Sequence, residues 1–348
     1  VLEELNILKE KYKDERRTKV IAEKLGEFKE EELIPEETTL VMLTEGGYLK
    51  RTNPDTLRRQ ARGGKGSVIM KTKEEDAVTQ LVIASTHDEL LFFTDKGKVY
   101  RERVFEIPEA GKQAKGTSAV NLINLEPGEK VVMILPITNK NPGLNYLLFA
   151  TNLGTVKKTS VGEFGNIRKS GITAIRLAQG EKVVWVKPSS GRDEVILITK
   201  QGQIIRFSEA EIRPTGRSSR GVRGIKLKKG DEVIAMELVS DPNLYLLTIT
   251  SNGYGKRTHL SQYRKQARGG SGVGVANIDS KTGEIMCAKI VGENSDELLL
   301  STAKAQTIRV SLRDIPILGR MTKGVRLIKL NAGDIVTSAS IVSKEQNH

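Results

Sequence analysis

The chain has 348 residues, 38% of them hydrophobic and only 4% aromatic, with 56 Lys and Arg against 43 Asp and Glu. That length holds two ordinary domains or one large repeat domain, and its core must be aliphatic. No apolar run reaches the ~18 residues of a spanning helix, the opening VLEELNILKEKYKDERR is too charged for a signal peptide, and the single cysteine, Cys287, excludes an internal disulfide and fits a reducing cytoplasm.

Residues 1–33 read as a helix, with Leu2, Leu5, Leu8, Tyr12, Ile21 and Leu25 at helical spacing. The acidic stretch EFKEEELIPEE (27–37) then serves as a linker, broken at Pro35. Residues 1–37 hold 12 acids and 8 bases, which leaves a net charge of +17 on the remainder. An excess of that size points to a polyanionic partner, most often nucleic acid.

From residue 38 a period of about fifty residues takes over. Apolar runs enter and leave a turn six times: LVMLTEGGYLKR (40–51), LLFFTDKGKVYR (90–101), LLFATNLGTVKK (147–158), VILITKQGQIIR (195–206), LLTITSNGYGKR (246–257) and LLLSTAKAQTIR (298–309). Each reads as a β-hairpin. The turn residues Gly47, Gly97, Gly154, Gly202, Gly253 and Ala305 lie 50, 57, 48, 51 and 52 residues apart. Further glycines follow at Gly66, Gly116, Gly171, Gly221, Gly272 and Gly324, and turns of the type L-x-x-G-[DE]-x-[VI] at 125–131, 177–183, 227–233 and 330–336. Four strands per unit, repeated six times, predict a propeller-like ring over 38–345 ahead of a linear solenoid.

Four residues past each turn stands a cation: Arg51, Arg101, Lys158, Arg206, Arg257 and Arg309. Strand alternation puts equal offsets on equal faces, so these six are expected to form a basic band. The structural alternative is that they blunt exposed strand edges. The loops add more charge: Arg58 and Arg59, Lys115, Arg220 and Arg223, Arg264, Lys265 and Arg268, and Arg320, Lys323 and Arg326. Scarce aromatics disfavour base stacking and favour duplex backbone contacts. One string occurs almost twice, QARGGKG at 60–66 and QARGGSG at 266–272. Their separation is four periods, which makes them the same loop in repeats one and five.

Catalytic motifs are missing from the sequence. No phosphate-binding G-x-x-x-x-G-K-[ST] occurs, His87, His259 and His348 stand apart, and Tyr263 beside Arg264 has no acid cluster. Catalysis by this chain alone is not expected. A propeller scaffold for proteins stays open as another class, for which an apolar or mixed rim is expected.

The six-fold pattern with QARGGKG in its first repeat resembles the C-terminal DNA-wrapping domain of the DNA gyrase A family, whose box is Q-R-R-G-G-[KR]-G. Gln60, Arg62, Gly63, Gly64, Lys65 and Gly66 match that box, and Ala61 departs from it. GRMTKGVRLIKLNAGDIV (319–336) resembles the last blade, and KYKDERRTKV (11–20) the end of the preceding cleavage domain. The resemblance implies an all-β fold, a six-bladed β-pinwheel with strands exchanged between blades, preceded by a short helix. It implies positive wrapping of duplex DNA by the box and the cation rim. It also implies negative supercoiling by the complete enzyme, in which two gyrase A chains join gyrase B in the bacterial cytoplasm. ATP and magnesium would belong to that enzyme and no cofactor to this fragment. The topoisomerase IV counterpart is the alternative, disfavoured by six repeats and an almost complete box.

Overall fold

The computed structural model describes residues 2–12, 34–44, 46–53, 78–111, 114–137, 145–292, 297–303 and 307–342. The chain divides into two compact units, Val1–Pro35 and Glu36–His348. In the first, α1 (Leu2–Lys11) carries the predicted apolar positions Leu2, Leu5 and Leu8, all more than half exposed. The rest of the predicted helix, 13–33, lies outside the described residues.

The second unit is all β. Repeat one supplies β1 (Thr38–Thr44), β2 (Tyr48–Thr52) and β3 (Val78–Ser85); repeat two supplies β4 (Glu89–Thr94), β5 (Lys98–Arg103), β6 (Thr117–Ser118) and β7 (Val131–Ile137). Repeat three gives β8 (Tyr146–Thr151), β9 (Thr155–Ser160), β10 (Ile172–Thr173) and β11 (Val183–Ser189). Repeat four gives β12 (Glu194–Thr199), β13 (Gln203–Ser208), β14 (Val222–Arg223) and β15 (Val233–Val239). Repeat five gives β16 (Tyr245–Thr250), β17 (Tyr254–His259), β18 (Val273–Gly274) and β19 (Ile285–Val291). Repeat six closes with β20 (Glu297–Thr302), β21 (Thr307–Ser311), β22 (Val325–Arg326) and β23 (Val336–Val342).

Each hairpin forms for local reasons. The incoming strand is a buried aliphatic or aromatic run, as in EVILIT, where only Glu194 escapes the core. A threonine ends every one, and Thr44, Thr94, Thr151, Thr199, Thr250 and Thr302 are all at most 5% exposed. In five repeats its Oγ1 accepts the N–H four residues on, at 3.0–3.3 Å. The glycine between them has φ of +75° to +82°, which a side chain resists. The L-x-x-G-[DE] acid braces the same turn from the turn that leads into the last strand. Thr94 donates to Glu129 at 2.5 Å, Thr151 to Glu181 at 2.7 Å and Thr302 to Asp334 at 2.7 Å.

The strands then pair across repeats. The sheet orders are β3-β1-β2-β6, β10-β5-β4-β7, β11-β8-β9-β14, β15-β12-β13-β18, β19-β16-β17-β22 and β21-β20-β23. In the first five sheets the two-residue outer strand is thus taken from the following repeat, the exchange that the family resemblance implies. Five blades are complete and the sixth shows three strands, against the six full blades expected. Residues 54–77 of repeat one lie outside the described residues.

Successive sheets bury apolar clusters between them, such as Phe93, Phe149 and Phe164, whose rings meet at 5.6–6.2 Å. Among the described residues five such clusters join neighbouring sheets in order, and none joins sheet six to sheet one. The last strands of successive repeats touch one another: β3 meets β7, β7 meets β11, and so on to β23. They therefore face the axis of a propeller-like ring, and the exchanged short strands form its far edge.

The turn threonines test this account. Valine at Thr199 keeps the packing and leaves the N–H of Gln203 without its acceptor, an expected loss of about 1–3 kcal/mol. A lowered midpoint in urea unfolding checks it; an unchanged midpoint contradicts it.

Candidate nucleic-acid interface

The hairpin-end cations are where sequence and structure part. Period-2 geometry does give them one shared face, opposite Val41, Leu91, Leu148, Ile196, Leu247 and Leu299. That face is turned toward the next repeat. Lys158, Arg206 and Arg257 are 4%, 9% and 5% exposed, so they do not form the expected open band. Lys158 Nζ donates to the Glu209 carbonyl at 3.1 Å, with the Glu209 carboxylate at 3.5 Å. Arg206 donates to the carbonyls of Leu260 at 2.8 Å and Tyr263 at 3.3 Å, and to Glu194 at 2.5 Å. Arg257 donates to the Ile315 carbonyl at 2.9 Å.

Arg51 is half-buried and does the same toward Ile107 at 3.1 Å, and Arg101 reaches the Gly165 carbonyl at 2.9 Å. Arg309 is more than half exposed and pairs with Glu297. The backbone of these residues joins in: Thr215 N–H donates to Lys158 O, Gln266 N–H to Arg206 O and Leu318 N–H to Arg257 O, at 2.8–2.9 Å. Each charge-assisted bond of this kind is worth about 1.5–3 kcal/mol. Arg51, Arg101, Lys158, Arg206 and Arg257 thus clasp the loop of the next repeat.

Sequence reading missed their neighbours. Lys50, Lys157 and Lys256 precede the hairpin cation in repeats one, three and five and are at most 1% exposed. Lys50 Nζ lies 3.3 Å from the carbonyls of Gly111 and Ala114. Lys157 donates to Ala174 and Arg217 at 2.7 and 2.6 Å, and Lys256 to Gly319, Arg320 and Thr322 at 2.9, 2.5 and 3.0 Å. Burial pushes the ammonium groups of Lys157 and Lys256 down to about 8 and lowers that of Lys50. A lysine in every second hairpin, at one fixed offset, was the available signal.

The exposed charge sits in the loops and short strands of the far edge. Arg168 and Lys169 stand there in repeat three, Arg220 and Arg223 in four, Arg264 and Lys265 in five, Lys323 and Arg326 in six, all exposed. The loops are bonded in series. Arg176 N–H donates to Ser219 O at 3.1 Å, Lys226 N–H to Gly270 O at 2.8 Å and Asn277 N–H to Thr322 O at 3.3 Å. From repeat three to repeat six they form one continuous edge. Between the loops of repeats two to four lies a cleft of about 1010 Å³ lined by Lys98, Arg101, Arg168 and Arg217. A phosphate backbone following this edge meets cations in every repeat from three to six.

Lys115 is half-buried with its ammonium 3.6 Å from the Tyr48 ring centroid. In the second twin string Arg268 donates to Arg223 O at 2.5 Å, while Gly269 N–H donates to Gly224 O at 2.8 Å. Gly272, at φ +71°, lies so close to Ile204 O that a Cβ would collide with it. That copy locks its loop onto repeat four. The first copy, Gln60, Arg62, Gly63, Gly64, Lys65 and Gly66, lies outside the described residues together with Arg58 and Arg59. Tyr263, beside the exposed Arg264, is buried, and burial pushes its phenol up to about 12. Among the described residues no group of three His, Cys, Asp or Glu could hold a metal, and no helix is long and apolar enough to cross a membrane.

Comparison with known proteins agrees with this architecture. The family model for the DNA gyrase C-terminal domain, a β-propeller, matches residues 38–85, 88–138, 145–190, 193–240, 244–286 and 296–343. The DNA gyrase A protein of Staphylococcus epidermidis (strain ATCC 12228 / FDA PCI 1200) is 39% identical over 350 residues, covering 100% of this chain and 39% of that protein. Its Staphylococcus aureus (strain NCTC 8325 / PS 47) counterpart is 37% identical over 347 residues, covering 99% and 39%. The chain therefore spans about two fifths of these relatives. Among solved structures, the C-terminal domain of DNA topoisomerase IV superposes with a TM-score of 0.75 at 27% identity, covering 89% of this chain and 94% of that one. A DNA gyrase A C-terminal domain gives 0.71 at 29%, covering 88% and 99%.

The buried lysines give stability a pH dependence of definite sign. Between pH 8 and the ordinary lysine value of 10.5, the unfolded chain keeps protons that folded Lys157 and Lys256 have released. Stability therefore rises with pH across that window, and the full cost of the buried cations is present below it. The raised phenols of Tyr100 and Tyr263 act the opposite way above about pH 10. From pH 7 to 9.5 the urea midpoint of the wild type is expected to gain on that of a Lys157→Met, Lys256→Met variant. A pH-independent difference would contradict this assignment.

Proposed function

The chain belongs to the DNA gyrase C-terminal β-propeller family, and on that premise we propose that it binds duplex DNA along the far edge of its ring and wraps it with positive handedness. The observation that carries this reading is the line of loops bonded end to end, each presenting exposed cations. Among the described residues the second unit has no α-helix to enter a groove, so contacts fall on phosphates and sequence preference is weak. In the complete protein, wrapping presents a neighbouring segment of the same DNA for passage. Negative supercoiling then follows with a cleavage domain, a second gyrase A chain, the ATPase gyrase B and magnesium, in the bacterial cytoplasm at the nucleoid. Catalysis belongs to those parts.

The topoisomerase IV reading draws on the superposition above, but the box of six matching residues at 60–66 favours gyrase.

Two measurements test the reading. Equilibrium binding to duplex DNA of unrelated sequences is expected to show a log–log salt slope of about −5 to −10, as for six to twelve displaced counterions. A slope near zero, or one strongly preferred site, refutes it. Ligation of nicked circles with bound protein is expected to leave a positive linking-number shift, which Arg62→Ala with Lys65→Ala abolishes while simple binding persists. If that variant keeps the shift, the box does not close the wrap.

A further inference from the structure

The six repeats alternate in a way that a six-fold ring does not require. Ahead of the hairpin cation stand Lys50, Lys157 and Lys256 in odd repeats and Tyr100, Ile205 and Ile308 in even ones. The strand start facing that cation alternates too. Glu89, Glu194 and Glu297 pair with Arg101, Arg206 and Arg309 in even repeats. In repeats three and five the rings of Tyr146 and Tyr245 lie 5.2 and 5.7 Å from Lys158 and Arg257.

The odd lysines are hard to explain by stability. A buried cation is costly unless its donors are all satisfied. Ile205 fills the same place in repeat four at 0% exposure, so the fold itself accepts an apolar side chain there. What the lysines share is the identity of their acceptors. Lys256 donates to three carbonyls of 319–322 and to Thr322 Oγ1 at 3.2 Å, all in the loop of the following repeat. Lys157 donates to Arg217 O in the loop of repeat four, besides Ala174 O of its own repeat, and Lys50 to Gly111 and Ala114 at the loop of repeat two. With its carbonyls drawn inward onto one ammonium, the loop exposes Lys323, paired with Asp279, and in repeat four Arg220, while Arg217 and Arg320 are half-buried and Arg320 donates to Gly274 O at 3.2 Å.

We propose that Lys50, Lys157 and Lys256 are positioning residues of the DNA edge. Each holds the loop of the next even repeat in the shape that carries its cations outward, so that six repeats work as three pairs. The proposal rests on the DNA-binding reading and adds to it that odd repeats control the loops of even ones.

Lys256→Met removes the cation and keeps most of the volume. It leaves the carbonyls of Gly319, Arg320 and Thr322 without that donor but also removes a buried charge, so it is expected to stay folded with a lowered melting temperature. Its duplex-DNA salt slope is expected to become shallower by about 2, as if Arg320 and Lys323 had left the interface. Arg320→Ala with Lys323→Ala should give the same change, and adding Lys256→Met to that pair should give no more. Ile205→Met, the even-repeat control, should leave the slope alone. If the alanine pair keeps the wild-type slope, the loop of repeat six is not part of a DNA edge. If the alanine pair is shallower but folded Lys256→Met is not, positioning by Lys256 is refuted. Lys157→Met with Arg217→Ala and Arg220→Ala is measured in parallel, so that loss of fold in one series leaves the other to decide.

Discussion

A strand of two residues cannot hold itself in a sheet, yet five sheets of this protein end in one that comes from the next repeat. The rest of the ring is arranged around that constraint. A two-residue ladder supplies few bonds of its own, and isolated β pairs are marginal even when much longer. The loop leading into each short strand must be held from elsewhere. The hairpin of the preceding repeat does this, with backbone bonds from the cation residue itself and side-chain bonds from Arg51, Lys158, Arg206 and Arg257.

The same arrangement separates two uses of positive charge. Arg51, Arg101, Lys158, Arg206 and Arg257 on the hairpin face point into carbonyls of the next repeat, where a low dielectric strengthens each bond. Those on the loops point into solvent, where an isolated pair contributes ~0–1 kcal/mol and the charge stays available to a partner. Lys158 and Lys169 differ in little but sequence context, yet one is 4% exposed and the other lies open on the far edge. The clasp and the display are linked, because a loop pinned by its carbonyls has its side chains left over. On the proposed function, an edge ordered in this way before DNA arrives lowers the entropic cost of binding.

Serial bonding also decides how the edge behaves as a whole. Each loop is attached to the one before it, as Gly269 is to Gly224 and Asn277 to Thr322. Repeats three to six therefore present a row with a fixed spacing, which on the proposed function would be a template for a bent duplex. Bending DNA costs elastic energy, repaid by contacts along the arc, and a row of independent flexible loops would offer less in return.

Local chemistry was legible in the sequence. Gly97 and Gly202 need a positive φ, hydrophobic alternation marks the hairpins, and the fifty-residue spacing of the turns counts the repeats, because each of these is decided within a dozen residues of chain. The identity of the box was legible as a resemblance. Which repeat completes which sheet was decided by tertiary structure, since β14 at 222–223 carries no local mark that its partner is β9 rather than β13. So was the fate of the cations. Arg206 and Arg220 look alike in the sequence, but the acceptors of Arg206 lie 54 and 57 residues downstream, and only the folded ring brings them to its guanidinium. Burial of a charge depends on what closes over it, and here that is always the next repeat.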